Sequence, residues 1–312
     1  MALRIVSYNV RYFSHALRGL ASTERSTRGI ARALTALDPR PAIICLQEVE
    51  TYSMRSRLTA KRGAPKVTQL EAFMFALERE VAALGEEMPY EAFYFRAHRY
   101  GPARLPIYTT GLAILVDTRQ LTVSAHNQHQ PHAITHHHVA RFRDQKQTRV
   151  CAHMRVVDRD GRALHVFNTH LSLPTPFAKQ FWTVREKMGH GANQLAEARS
   201  LCAFIRELAG TDPFIVCGDF NSAPTSPVYH FLTGEAGLVG AQHHLGLIDP
   251  TVRKGFPTAG LARLRMHLDH LFGSDGVRWV DMDGTRPFGD RQGPFHGLSD
   301  HVPLIARFDH RT

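Results

Sequence analysis

Six short segments of this 312-residue chain end or interrupt an apolar run with a carboxylate, a carboxamide or an imidazole. The most informative is Phe-Ile-Val-Cys-Gly-Asp-Phe-Asn-Ser at 214–222. Phe214 to Cys217 make a short buried-strand signal, and Gly218 lets the backbone turn. Asp219 and Asn221 follow one residue apart, so on an extended chain they share a side. A carboxylate and a carboxamide leaving a strand together can grip one phosphate: the acid meets a metal or a proton, and the amide donates to an anionic oxygen. Alone, the stretch reads equally well as a surface turn, because Gly, Asp, Asn and Ser are common turn formers.

Five partners share its form. Ile5-Val6-Ser7-Tyr8-Asn9 ends a strand signal at Asn9. Ile43-Ile44-Cys45-Leu46-Gln47-Glu48 carries Glu48 next to the core, where a carboxylate needs a metal, a cation or hydrogen bonds. Val166-Phe167-Asn168-Thr169-His170 sets an imidazole at a strand end, where it could donate to a phosphate oxygen or protonate a leaving group. Met266-His267-Leu268-Asp269-His270-Leu271 buries Asp269, either as a paired core acid or as the orienter of a catalytic imidazole. Leu298-Ser299-Asp300-His301-Val302 places Asp300 and His301 side by side, facing opposite ways on an extended chain, one to a metal and one to the substrate water. Each segment has a bland structural reading; six in one chain point to a site.

In this order the segments resemble the endonuclease/exonuclease/phosphatase family of metal-dependent phosphohydrolases, from Ser7-Tyr8-Asn9 to Ser299-Asp300-His301. The resemblance implies an α+β fold: a four-layer αββα sandwich, two packed mixed sheets flanked by helices, in one domain over 1–312 with the site at the rim between the sheets. It implies Glu48 as the principal magnesium ligand, with Asn9 beside it, Asp300 completing the metal environment, and manganese able to substitute. Asp219 and Asn221 would flank the phosphate, Asp269 would hold His301, and His170 would contact the phosphate. Asp219 and His301 both stand as the general base, and one metal or two are both compatible. Water would attack in line with P–O cleavage, helped by a hard, oxygen-ligated cation. Asn-Thr-His-Leu at 168–171 and Asp-Phe-Asn-Ser-Ala-Pro at 219–224 are more similar to the deoxyribonuclease, deadenylase and sphingomyelinase branches than to the abasic-site endonucleases. Thr109-Thr110 stand where some members carry a second Glu.

Positioning these groups requires strands. Apolar or alternating signals cover 3–8, 42–46, 91–96, 112–116, 149–157, 163–168, 214–217, 268–272, 277–282 and 302–308. Helical spacing marks 27–37, 67–84 and 192–208, with a shorter helix at 225–232 after Pro224. Many strands with a few helices between them fit sheets packed face to face with helices outside. Cys45, Cys151, Cys202 and Cys217 sit in or beside apolar runs without metal spacing and read as buried hydrophobes.

A net charge of +10 favours an acidic partner: nucleic acid first, an anionic phospholipid surface second. Basic clusters at Arg55, Arg57, Lys61, Arg62 and Lys66, at Arg141, Arg143, Lys146 and Arg149, and at Arg253, Lys254, Arg263 and Arg265 suggest a positive rim built on loops. The segment 173–182, with Phe177, Phe181 and Trp182, could insert into a lipid interface, stack bases or pack on the helix that follows. The His136–His138 run reads better as a polar loop than as a metal cluster. No signal segment or membrane span is evident, so a cytoplasmic monomer is expected. The expected activity is phosphodiester hydrolysis on nucleic acid; the alternatives are a phospholipid phosphodiesterase of sphingomyelinase type and a phosphatase for a small phosphorylated substrate.

Overall fold

Runs such as Ile43–Leu46 and Ile215–Cys217 are apolar at every position because both faces of their strands are covered. The computed structural model describes residues 2–13, 23–49, 68–100, 108–135, 148–174, 188–251, 256–261 and 264–311. In chain order the strands are β1 (Leu3–Asn9), β2 (Ile43–Val49), β3 (Tyr90–Tyr100), β4 (Tyr108–Asp117), β5 (Leu121–His126), β6 (His132–Ala133), β7 (Val150–Asp158) and β8 (Ala163–His170). They continue as β9 (Phe214–Asp219), β10 (Val239–Gly240), β11 (Ala259–Leu261), β12 (Leu264–Met266), β13 (Asp269–Gly273), β14 (Val277–Asp281) and β15 (Leu304–His310). The long helices are α1 (Thr23–Thr35), α2 (Gln69–Ala82) and α3 (Ala192–Ala209).

One sheet runs β14-β15-β1-β2-β4-β3, and the other runs β10-β13-β9-β8-β7-β5 with β6 beside β7. Alternate residues of one strand feed different cores. Ile5, Cys45, Ile114, Val166, Cys217 and Leu271 lie between the sheets. Val6, Ile44 and Leu46 pack with Ile30 and Leu34 of α1 and Phe73 and Leu77 of α2. Phe167, Val216 and Phe272 pack with Leu201 and Ile205 of α3. The layers are therefore helix, sheet, sheet, helix, as the resemblance implied. All four cysteines are buried and unpaired.

The topology brings strand ends together. β1 and β2 are parallel, and so are β8 and β9. Asn9 and Glu48 thus leave one sheet at the rim where His170 and Asp219 leave the other. β13 runs antiparallel to β9 with Asp269 opposite Asp219, so its first residue meets the others' last.

Several boundaries differ from expectation. Helix α2 starts at Gln69 because Thr68 caps it: its hydroxyl accepts from Glu71 N, and the Glu71 carboxylate accepts from Thr68 N. The last strand begins at Leu304 and not at Val302, whose N–H instead bonds Thr258 O. The helix expected over 225–232 is α-helical at Pro227–His230 and continues as a π-helical turn over Phe231–Glu235. Strand β5 escaped the sequence pattern because it is an edge strand with only Leu121 buried. β6 and β10, two residues each, are too short to show a period. The basic cluster at 55–66, Arg141, Arg143, Lys146, Arg253, Lys254, Arg263, His136–His138, Phe177, Phe181 and Trp182 lie outside the described residues. Among the described residues no helix is long and apolar enough to cross a membrane.

Candidate active site

The two-residue period that builds the inter-sheet core also delivers its polar ends. Asn9 continues the series Ile5–Ser7, Asp219 continues Ile215–Cys217, and Asp269 precedes Leu271 on the same face. Just below them, Gln47 Nε2 donates to Asn168 Oδ1 at 2.8 Å, and Asn168 Nδ2 donates to Leu46 O and Ala113 O at 3.0 and 3.1 Å. This buried amide bridge ties one sheet to the other beneath the rim. Its signal in the sequence is two amides inside apolar runs.

Glu48 breaks the period. Its parity with Ile44 and Leu46 would aim it under the helices, but the β2–β4 register shifts between Leu46 and Val49, and Glu48 has φ 54. A bulge with a left-handed Glu re-aims the side chain into the rim at a local cost of about 1–3 kcal/mol. There Glu48 Oε1 lies 3.3 Å from Asn9 Nδ2 and 4.0 Å from His170 Nε2. Burial raises its pKa, nearby Asp300 adds to the rise, and no Lys or Arg pairs with it among the described residues.

Asp219 is the hub. Its Oδ2 lies 3.0 Å from Asn9 Nδ2, 3.4 Å from His170 Nε2 and 3.8 Å from His301 Nε2. Burial and then the charge of Asp269 push its carboxyl up to about 7. Gly218 does not make the expected turn. It stays in β9 opposite Thr169 with φ 144, and a Cβ there would meet Thr169 O at 2.0 Å, so only glycine fits. The turn comes later, at Asn221 with φ 48, which brings Asn221 Nδ2 to 3.2 Å from His170 Nε2 and 2.9 Å from Leu171 O. Asn221 therefore joins the site through a left-handed residue and not through strand parity.

Helix α3 holds both loops. Gln194 Nε2 donates to Asn221 O at 2.8 Å, and the buried Glu197 carboxylate accepts from Ser172 N and Oγ at 2.8 and 2.7 Å. Both look like ordinary polar helix residues in the sequence, which offers no sign of this use.

His301 and Asp269 form the second half of the site. His301 Nδ1 lies 2.9 and 3.2 Å from the Asp269 oxygens. Thr258 Oγ1 donates to Asp269 Oδ2 at 2.6 Å and accepts from Leu268 N and Asp269 N. Burial works against charge on His301, but Asp269 and then Asp219 override it and push the imidazole up to about 10. His170 has no such carboxylate pairing on its ring's other edge; burial, reinforced by Arg149, holds it well below the usual imidazole range.

Asp300 points away from His301, as expected for adjacent residues. Its carboxylate is ion-paired with the Arg11 guanidinium. Arg11 is delivered by three successive residues with positive φ, at 41, 57 and 50, directly after β1.

Arg149 is the residue whose role the sequence reading missed. Expected on a loop rim, it is instead 8% exposed, its Nε has no hydrogen-bond partner, and its side chain has no ion pair among the described residues. Its charge helps hold His170 neutral and offsets part of the rise at Glu48. Its signal in the sequence is a lone Arg that opens an apolar strand run and also closes a basic cluster.

The donor set fits a hard divalent cation at one end. Asp219 is buried and Glu48 half-buried, and no guanidinium forms an ion pair with either among the described residues. Asp219, Asp269 and His301 offer ligand atoms within 4.8 Å of one another, but the His301–Asp269 pair already satisfies itself. Asn9 presents its nitrogen to the carboxylates while Oδ1 accepts from Arg11 N at 3.0 Å, so in this arrangement the amide clamps Glu48 to Asp219.

Residues 6–301 match the sequence model described as the Endonuclease/Exonuclease/phosphatase family. The chain is 47% identical over 45 residues to Carbon catabolite repressor protein 4 homolog 3 of Arabidopsis thaliana, covering 14% of this chain and 10% of that protein. It is 30% identical over 92 residues to Nocturnin of Drosophila melanogaster, covering 28% and 12%. The matched stretches thus span about a tenth of those two relatives. The human Nocturnin catalytic domain with bound sulfate superposes with a TM-score of 0.62 at 20% identity over 99% of this chain and 94% of that one. ANGEL2, described as a 2',3'-cyclic phosphatase in complex with adenosine-2',3'-vanadate, gives 0.65 at 17% over 99% and 95%. An endonuclease/exonuclease/phosphatase protein from Bacteroides vulgatus gives 0.64 at 15% over both whole chains. These superpositions establish a shared fold.

Proposed function

The chain belongs to the Endonuclease/Exonuclease/phosphatase family of hydrolases, and from that premise we propose that it is a divalent-metal-dependent phosphodiesterase acting on nucleic acid, with one catalytic domain spanning the sequence. One observation carries the reading. On a single rim, Glu48 and Asp219 have no Lys or Arg ion pair among the described residues, the buried Arg149 has an unpartnered Nε, and His170 and His301 lie against Asp219. A metal-bound phosphate completes both halves at once.

Magnesium, or manganese in its place, would be held by Glu48 with Asn9 and Asp300 beside it, and would supply Lewis-acid stabilisation of charge on the phosphoryl oxygens. The rest falls to the chain. Asp219, with its carboxyl pushed up to about 7, is matched to take a proton from water near neutral pH. As that proton moves to Asp219, the water oxygen bonds to phosphorus and the P–O bond to the leaving group breaks, its electron pair staying on the leaving oxygen, which takes a proton from solvent. His301, pushed up to about 10 and held by Asp269, keeps its proton and donates it in a hydrogen bond to a phosphoryl oxygen. Arg149, whose buried Nε has no hydrogen-bond partner, donates to a second oxygen. His170 is held neutral, and Asn221 fixes its ring while Asn9 spaces the two carboxylates.

The net charge of +10 supports a polyanionic substrate. So does the nucleotide chemistry of one structural relative, which was captured with adenosine-2',3'-vanadate. The test is a parallel panel: purified protein with magnesium, manganese or EDTA against single- and double-stranded DNA, RNA, poly(A), sphingomyelin and bis(p-nitrophenyl) phosphate. Metal-dependent cleavage of a nucleic acid is expected. Sphingomyelin turnover with no nucleic-acid cleavage would overturn the substrate assignment.

A further inference from the structure

Beyond His301 the rim opens into a cavity of about 490 Å³ that the chemistry above leaves unused. Gly260 and Arg265 of β11 and β12 and the segment 286–303 leading into β15 line it, Ser299 and His301 among them. A group seated there is therefore continuous with the phosphate held by His301.

The lining is basic. Arg265, Arg286 and Arg291 face a single carboxylate, Asp290. Arg286 and Arg291 are exposed and have no ion pair among the described residues. Arg265 lies over the Phe288 ring with its guanidinium carbon 5.0 Å from the centroid, which orients the fork and lowers the entropy lost on binding. Phe288 in turn sits on Gly260, where a Cβ would come 2.2 Å from ring atom Cε1, so a glycine is what admits the ring. Unpaired guanidinium forks select phosphate, and a half-buried aromatic with a stacked Arg is a platform for a flat base. A lone phosphomonoester would leave the cavity empty, and a lipid headgroup would leave the platform without a partner. A duplex could not unstack a base into it without losing its pairing.

Resting on the nucleic-acid reading above, we propose that this cavity is the subsite for the nucleotide adjoining the scissile phosphate on a single strand. Its phosphate lies between Arg286 and Arg291, and its base lies against Phe288 and Arg265. The enzyme is accordingly selective for single strands of two or more nucleotides.

The test uses the full chain with Arg286→Glu and Arg291→Glu together, both exposed, with circular dichroism to confirm folding. Binding of a fluorescent single-stranded oligonucleotide is measured in EDTA, where hydrolysis is off, across a salt series. The dissociation constant should rise about tenfold or more, and the slope of log affinity against log salt should shrink by about 1.4, as expected for two lost phosphate contacts on a single strand. In metal-dependent turnover, kcat/KM should fall about tenfold further for the oligonucleotide than for bis(p-nitrophenyl) phosphate, whose single phosphate does not reach the cavity. Phe288→Ala should weaken the oligonucleotide without changing the salt slope. Unaltered oligonucleotide binding and slope in the double variant, or equal losses on the two substrates, would overturn the subsite. A wild-type protein that hydrolyses bis(p-nitrophenyl) phosphate but neither binds nor cleaves any oligonucleotide would instead overturn the nucleic-acid reading on which it rests.

Discussion

The two rims of the sandwich use the same residue types to opposite ends. Where β1 and β2 begin, acids are matched to arginines: Asp117 with Arg119 at 3.0 Å, Glu86 with Arg40 at 2.6 Å, Asp158 with Arg162 at 2.8 Å, and Asp281 with Arg307. Hydrogen bonds from Arg40 and Arg307 hold Glu86 and Asp281 below the usual carboxylate range. Where β1, β2, β8 and β9 end, Glu48 and Asp219 are pushed up instead, because desolvation and neighbouring acids outweigh the cationic groups nearby and no guanidinium is ion-paired with them among the described residues. An acid and a base that satisfy each other make scaffold; an acid and a base held close but unsatisfied make a site. Among the described residues, Asp300 with Arg11 is an Asp–Arg pair at the candidate rim that resembles those of the far one, and an incoming cation would compete with Arg11 for it.

That contrast can be broken at several strengths. Glu48→Ala or His301→Ala should lower metal-dependent kcat/KM for a phosphodiester by about 10³ while the protein stays folded by circular dichroism. Full activity in both variants would show that the rim is not the reactive one. Asp269→Asn should cost about 10² in kcat, because it removes the charge that keeps His301 protonated; a loss confined to KM would place Asp269 in binding instead. Arg149→Met should raise KM for nucleic acid about tenfold yet leave the metal-free melting temperature unchanged or higher, since it deletes a buried, unpaired cation. A clear drop in melting temperature would mean that Arg149 belongs to the scaffold. At the far rim, Asp281→Asn should leave activity intact and cost only about 0.2–1 kcal/mol at neutral pH, the range for a partly exposed pair. Because its folded pKa is lowered, Asp281 stabilises the protein above its unfolded value near 3.8, and that contribution fades as pH falls through the lower folded value. Urea titrations of wild type and variant should therefore converge in strong acid.

Much of the site was legible because side-chain direction is local. Asn9, His170, Asp219 and Asp269 occupy strand ends on the face that their apolar neighbours mark, and Asp300 and His301 part company as adjacent residues must. Less could be read of the groups that leave the pattern. Glu48 enters through a bulge, Asn221 through a left-handed turn after the strand, and Arg149 from a cluster that looked like solvent-facing charge. Gln194, Glu197 and Thr258 hold the loops and acids in place, yet their types and spacing match those of ordinary polar residues.

The sequence by itself determined the candidate residues for chemistry, the strands that bear them and the alternation that fills three cores, since each depends on neighbours a few residues away. Only the tertiary structure decided which charges are answered. Asn9 meets Asp219 across 210 residues and Arg11 meets Asp300 across 289. The parallel pairing of β1 with β2 and of β8 with β9 puts the unanswered carboxylates at one rim and the answered ones at the other. Burial and Coulomb interaction act through space, so that division has no counterpart in the order of the residues.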